Sequence, residues 1–305
     1  MDILALFSNY TFQIVALGSA LLGIISGVLG SFAVLRKQSL LGDGVSHAAL
    51  PGVVLVFLLT GSKNTEMLLL GALVTGIFAT LLILGIVKTT RVKFDAALAL
   101  VLSVFFGLGT VLLTYSQKIP NANQAGLDRF IYGQAAGLVK RDIWIIVICG
   151  IVLLMIVIMF WKEFKLLCFD AEFAKSIGLP IGKLHILLSF LIVISIIIGL
   201  QTVGVILMSS MLIAPAVAAR QWSNKLSTMI VLSAIFGAFS GVLGTLISSS
   251  MTKLPTGPTI VLCVTTIATF SLLFAPNRGI IHKLYQRWHN KKRFEQERQA
   301  MKYVK

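Results

Sequence analysis

Long apolar segments recur along the whole chain, and they limit its fold more than any other feature. A helix needs about 20 mostly apolar residues to cross roughly 30 Å of hydrocarbon. Hydrophobic residues make up 57% of the sequence and charged residues 12%, against roughly 45–50% and about 25% in an ordinary soluble domain. The chain therefore cannot be a soluble globular protein. We predict an all-α, polytopic helical bundle in a membrane.

Nine apolar segments are long enough to be spans, and a re-entrant segment would change the count to eight or ten. The predicted spans are 11–35, 45–61, 66–87, 96–115, 143–161, 184–200, 204–219, 226–250 and 257–274. They form a single membrane domain over residues 1–277, followed by a basic tail at 278–305. Glycines three or four residues apart, such as Gly23 and Gly27, predict close contact between helix backbones.

The basic residues fall on alternate sides of successive spans. The net charge is +15, and most of the 26 Lys and Arg residues follow the first, third, fifth, seventh and ninth spans. Cytoplasmic loops carry the excess of Lys and Arg in membrane proteins. This pattern predicts a plasma-membrane protein with its N-terminus outside and its C-terminus in the cytoplasm. We interpret the positive charge as fixing the orientation in the membrane and contacting anionic lipid, rather than as binding nucleic acid.

The sequence lacks the motifs of several other classes. Cys149, Cys168 and Cys263 are far apart, which excludes a disulfide framework and a zinc ribbon. The chain has no G-x-x-x-x-G-K-[ST] loop, the motif that cradles nucleotide phosphates. We therefore expect a transport protein without an enzymatic activity or cofactor of its own.

The segment LGDGVSHAALPG, at residues 41–52, places two ionisable side chains at the start of an apolar block. Asp43 and His47 are four residues apart, so a helix would place them on the same face. A carboxylate and an imidazole suit Mn²⁺, Zn²⁺ or Fe²⁺. Two ligands hold such an ion weakly, but a symmetric dimer would supply four. Alternatively, Asp43 caps the helix and His47 hydrogen-bonds across helices.

The segment FDAEFAKSIGLP, at residues 169–180, predicts a short cytoplasmic helix. Asp170 is a typical N-cap, Glu172 favours the first turn, and Gly178 followed by Pro180 ends the helix. Such a helix between two spans could dock a soluble partner or lie in the membrane interface without one.

A third segment, QTVGVILMSSMLIAPAVAA at residues 201–219, has Pro215 within an apolar span, where proline interrupts the helical hydrogen bonds. Together, and in this order, the three segments resemble the membrane permease subunit of bacterial ABC importers of manganese, zinc or iron, the ABC-3 family. The resemblance extends from the first span to about residue 274.

The resemblance implies a fold, partners and site residues. It implies a homodimer with two ATP-hydrolysing subunits on its cytoplasmic face and an extracellular metal-binding lipoprotein at the opposite mouth. It assigns Asp43 and His47 to the translocation path. The family's coupling helix, which would contact the ATPase, corresponds to the segment that contains Asp170, Glu172, Ala174 and Gly178.

The identity of the cargo stays open at the level of sequence. Oxygen and nitrogen ligands favour Mn²⁺, but Zn²⁺ and Fe²⁺ accept the same atoms. A metal chelate would need a wider path than a face with one Asp and one His. A secondary ion carrier would need no ATPase, and it should have more titratable residues within its spans than this chain has.

Overall fold

The computed structural model describes residues 9–61, 64–118, 133, 137–251, 254–276, 278–283, 286 and 290–291. All the elements it describes are helices. They are α1 (Tyr10–Leu35), α2 (Leu41–Ala48), α3 (Leu50–Thr60), α4 (Thr65–Thr89), α5 (Phe94–Gln117), α6 (Lys140–Met159), α7 (Trp161–Phe169), α8 (Ala171–Ser176), α9 (Ile181–Val203), α10 (Val205–Trp222), α11 (Leu226–Ser250) and α12 (Thr256–Phe274). Most of the predicted tail lies outside the described residues.

Within the described residues, eight helical segments are long and apolar enough to cross a membrane. Helices α2 and α3 together form one of them, and the others are α1, α4, α5, α6, the 181–200 part of α9, α11 and α12. The predicted all-helical membrane fold is confirmed. In a helix every backbone group finds its partner inside the segment, which is what hydrocarbon demands.

Helix α10 corresponds to the remaining predicted span. Its 18 residues are about 27 Å long at 1.5 Å per residue, and the helix continues through Pro215. Gly30 of α1 lies against the carbonyl of Leu212, and Val34 clusters with Ala216 and Ala219. Residue numbers increase in the same direction along both helices at these contacts, so α1 and α10 run parallel.

Helices α1 and α11 are antiparallel and in very close contact. A Cβ at Gly23 would overlap the backbone of Gly237, and one at Gly241 would overlap the backbone of Ser19. The buried Ser233 hydroxyl donates a 2.8 Å hydrogen bond to the Gly27 carbonyl. The predicted role of the glycines as packing residues is confirmed at this seam.

The core lies where α1, α9 and α10 meet α2. Its largest fully buried side chains include Phe32, Leu29, Leu41, Ile192 and Leu200. Helices α4, α5 and α6 pack around this centre and present many apolar side chains outward, as expected for helices that face lipid.

Candidate metal centre

Helix α2 carries the predicted metal ligands, and it begins earlier than the sequence predicted. The predicted span starts at residue 45, whereas α2 starts at Leu41. Its N-cap position is Leu40, which makes no side-chain capping bond. Asp43 therefore lies inside the first turn, where the helix dipole favours a negative charge, and the proposal that it caps the helix is wrong.

The carboxylate of Asp43 and the imidazole of His47 are adjacent, as their spacing predicts. Asp43 Oδ1 lies 3.5 Å from His47 Nε2, and the side chains are 44% and 21% exposed. The other six residues of α2 are all buried. The helix thus turns its two ionisable side chains to its one accessible face.

Packing holds this face in place. Gly44 lies against the Leu98 side chain, and Gly42 lies against Ser209 and Leu212 of α10. The Ser46 hydroxyl is buried and donates a 2.7 Å hydrogen bond to the Gly42 carbonyl. Small residues at these positions let α2 lie close to α5 and α10, which limits how far the helix can tilt.

The imidazole of His47 has a second neighbour that sequence analysis missed. The Phe106 ring of α5 packs edge-on against it, with ring centroids 4.8 Å apart. No hydrogen-bond partner of the buried His47 Nδ1 is present in the part of the chain that the structure describes. Nothing in the sequence marks Phe106, because it is one of 19 phenylalanines and lies nearly 60 positions from His47.

Pro51 interrupts the helix just beyond the candidate ligands. Helix α2 ends at Ala48 and α3 begins at Leu50, although Ala49 keeps a helical conformation with φ −73° and ψ −25°. Proline has no N–H, so Pro51 cannot donate to the carbonyl four residues earlier, that of His47. The His47 carbonyl therefore lacks its usual helical partner, and the N–H directed to it is that of Ala49, which also bonds to the Val45 carbonyl.

The described part of one chain supplies too few ligands for a closed metal site. The described residues contain no group of three or more His, Cys, Asp or Glu side chains that could hold an ion. Structural and catalytic sites for transition metals use three or four protein ligands. The Asp43 and His47 pair would be half of a four-ligand set.

The short helix predicted between Asp170 and Gly178 forms as α8, and a further helix, α7, precedes it and ends at Phe169. The Asp170 side chain accepts a 2.9 Å hydrogen bond from the Phe173 N–H, which confirms it as an N-cap. Glu172 lies in the first turn. Gly178 ends the segment with φ 86°, and the Leu179 N–H bonds back to the Ala174 carbonyl at 3.1 Å, as in a Schellman motif.

The four predicted coupling residues differ in accessibility. Asp170, Glu172 and Gly178 are exposed, whereas Ala174 is fully buried within the chain. The exposed apolar side chains of the segment are Phe169, Phe173 and Ile177, 58%, 53% and 54% exposed. They follow a spacing of four residues, which a continuous helix would align on one face.

Comparison with known proteins identifies the family. The model of the "ABC 3 transport family" matches residues 8–275. The chain belongs to the ABC 3 transport family. It is a multi-pass membrane permease of the metal-ion ABC importers, and it is not an enzyme.

Individual relatives are named for two metals. The chain is 49% identical over 285 residues to the zinc transport system membrane protein TroC of Treponema pallidum, covering 93% of this chain and 96% of that protein. It is also 49% identical over 285 residues to the manganese transport system membrane protein MntC of Bacillus subtilis, covering 93% of this chain and 66% of that protein.

A solved structure shares the fold. It is "PsaBC from Streptococcus pneumoniae in complex with Fab", with a TM-score of 0.78 and 32% identity over 90% of this chain and 95% of that chain. The resemblance noted from the three sequence segments is confirmed.

Proposed function

We propose that this permease conducts a bare divalent transition-metal ion, with Mn²⁺ as the preferred cargo, along a path lined by Asp43 and His47. The observation that supports this most is the accessible face of α2. The two side chains lie 3.5 Å apart, on a helix whose other residues are buried. An ionisable group within a membrane-spanning segment is costly, so an acid and an imidazole kept together there are best explained by a ligand.

The proposed site is shared by two copies of the chain. A symmetric dimer with α2 facing its axis would supply two carboxylates and two imidazoles. This set has four ligands, and it avoids the thiolates that favour Zn²⁺ and Cu⁺. The mixed oxygen and nitrogen donors support Mn²⁺, and relatives named for manganese and for zinc make Zn²⁺ the first alternative.

Energy for transport would come from partner subunits. An ATPase subunit would bind the α7–α8 segment of each permease, with Asp170, Glu172 and Gly178 at the contact and the buried Ala174 holding α8 against the bundle. ATP and its hydrolysis would belong to those subunits. An extracellular metal-binding lipoprotein would deliver the ion to the opposite mouth. The positive charges around α7, α8 and the start of α9 support a cytoplasmic position for this segment.

The decisive experiment measures metals in whole cells. Cells that lack the gene are compared with cells that carry the wild type, Asp43→Ala or His47→Ala, with elemental mass spectrometry and short-term uptake of radioactive Mn²⁺. We expect manganese to fall without the gene, to recover with the wild type, and to stay low with either variant. Asp95→Ala is the matched control, because Asp95 also lies in the first turn of a spanning helix and is exposed.

Each outcome has a separate meaning. A fall in zinc or iron would keep the site and replace the cargo. Normal uptake by His47→Ala, with permease levels equal to the wild type, would refute the ligand assignment. Unchanged content of all three metals in cells without the gene would refute transport of a bare ion.

A further inference from the structure

The loop between α1 and α2 has a fixed backbone. Lys37 is left-handed with φ 57°, and its N–H bonds to the Val34 carbonyl at 3.2 Å. The next N–H, of Gln38, bonds to the Ala33 carbonyl at 2.9 Å. These two bonds form a Schellman motif in which lysine occupies the position that glycine usually takes. The Gln38 carbonyl in turn accepts a 3.0 Å bond from the N–H of Leu41, the first residue of α2.

The side chain of Gln38 joins this loop to a distant helix. It is 6% exposed, and its Nε2 lies 3.1 Å from Nε2 of His185, near the start of α9. For the amide to donate, the imidazole must carry its proton on Nδ1. The Gln38 Oε1 is buried and has no hydrogen-bond partner among the described residues. One backbone-fixed residue therefore connects the end of α1, the start of α2 and the start of α9.

His185 follows the α7–α8 segment closely. Helix α9 begins at Ile181, and only residues 177–180 separate it from the end of α8. The α8 end is fixed by the Gly178 motif, and the Ile181 N–H bonds to the Leu179 carbonyl at 2.9 Å. A movement of α8 thus reaches the first turns of α9 through a short, hydrogen-bonded connection.

Helix α7 contacts the same region from the other side. The Phe32 ring of α1 packs edge-on against Trp161 and Phe164, with centroids 6.4 and 5.9 Å away. Arg36 lies near Cys168 of α7, and burial lowers the pKa of this guanidinium to about 10. Arg36 Nη1 is buried, and no hydrogen-bond partner for it lies in the described part of the chain.

We infer that Gln38 is a positioning residue that transmits movement of the α7–α8 segment to the Asp43 and His47 face of α2. Gln38 lies five residues before Asp43, and α2 has 8 residues, so even the small shift of its start that the packing allows reaches both candidate ligands. The hydrogen bond to His185 is the connection that carries the movement. The inference rests on the proposed function, because it assumes that α8 responds to an ATPase and that α2 carries the ion.

The test measures coupling in the complete transporter. Permease, ATPase subunits and binding protein are reconstituted in vesicles, and the Mn²⁺ transported per ATP hydrolysed is determined. Coupling free energies between sites correspond to about 5- to 150-fold effects. We expect Gln38→Ala and His185→Leu each to lower this ratio by about five-fold or more, with ATP hydrolysis retained. His185→Gln should stay close to the wild type, since an amide can still bond to Gln38.

The chain offers a matched control. Gln286 Nε2 lies 2.8 Å from His282 Nε2, and both residues lie beyond the last span. Gln286→Ala removes the same type of contact, and we expect it to leave the ratio unchanged.

Three results would overturn the inference. An unchanged ratio in Gln38→Ala and His185→Leu would show that the contact transmits nothing. Equal falls in transport and hydrolysis, together with a lower melting temperature, would show that it only stabilises the fold. If Gln38→Ala does not fold, the difference between His185→Leu and His185→Gln decides. A wild type that hydrolyses ATP but transports no Mn²⁺, Zn²⁺ or Fe²⁺ would instead refute the proposed function, and the inference with it.

Discussion

Helices α2 and α8 have similar local sequence features but differ in how much of each helix is buried. Both are short, both have an acidic residue in the first turn, and glycine or proline follows both. Six of the eight residues of α2 are buried against neighbouring helices, whereas Ala174 is the buried residue of α8. Packing therefore fixes the orientation of α2, and hydrogen bonds at its two ends fix the shape of α8.

This difference matches the two tasks proposed for them. A metal ligand set must keep its donor atoms in place within about 0.5 Å, which requires that the rest of the helix be packed against its neighbours. A docking segment needs an exposed surface of stable shape, and it gains its contacts only when the partner binds. Different substitutions should therefore impair the proposed functions of the two helices.

The largest effect is expected from a substitution that changes no ligand. A Cβ at Gly44 would lie 2.9 Å from Leu98 Cγ, so Gly44→Val pushes α2 away from α5. Overpacking of this kind costs about 1–3 kcal/mol, and a displacement on the order of 1 Å can reduce a geometry-dependent rate about 100-fold. We expect Mn²⁺ uptake to fall by about that factor while Asp43 and His47 stay in the chain. Uptake in cells and the melting temperature in detergent measure the two effects.

Gly85→Val provides the control for this substitution. Gly85 lies in α4, and a Cβ there meets nothing within 4 Å. Its uptake should equal that of the wild type. Normal uptake by Gly44→Val as well would contradict the conclusion that packing of α2 defines the site.

The sequence predictions were accurate for α8, which local hydrogen bonds define, and less accurate for α2, which packing defines. The ends of α8 were predicted because the signals are local: the Asp170 carboxylate bonds to an N–H three residues away, and Gly178 adopts the left-handed conformation that glycine allows. The start of α2 was missed because no side chain caps it. Its first residues are held by the bundle, and the sequence carries no local signal for that.

At the candidate site, too, the features set by local sequence were predicted and the contacts between distant helices were not. The Asp43 and His47 pair follows from helical periodicity, which depends only on spacing. The contacts of His47 with Phe106 and of Gln38 with His185 depend on how helices distant in sequence pack. Hydropathy identifies the membrane-spanning helices, but it does not indicate which face of one helix packs against which face of another.

A smaller effect is expected on the exposed surface of the α7–α8 segment. Phe173 is 53% exposed, so Phe173→Ala should leave the permease as stable as the wild type. An aromatic anchor in an interface contributes about 2 kcal/mol or more, which corresponds to about 30-fold in Kd. We expect the ATPase subunit to bind the variant more weakly by about that factor, as measured by biolayer interferometry with permease in nanodiscs.

Phe270→Ala is the control for this surface. Phe270 is 54% exposed but lies on α12, within a predicted span. Its affinity for the ATPase should not change. Equal affinities of Phe173→Ala and the wild type would mean that the ATPase binds elsewhere on the permease.

The smallest effect is expected where only the backbone of α8 is changed. Gly178 has φ 86° with nothing near the position of a Cβ, so Gly178→Ala introduces backbone strain of about 1 kcal/mol without a clash. Amide exchange at Leu179, whose N–H bonds to Ala174, should accelerate about five-fold, and ATPase affinity should fall less than in Phe173→Ala. Gly182→Ala, in open space on α9, should not accelerate this exchange. Unchanged exchange in Gly178→Ala would show that contacts with the bundle, rather than the cap at Gly178, hold the shape of α8.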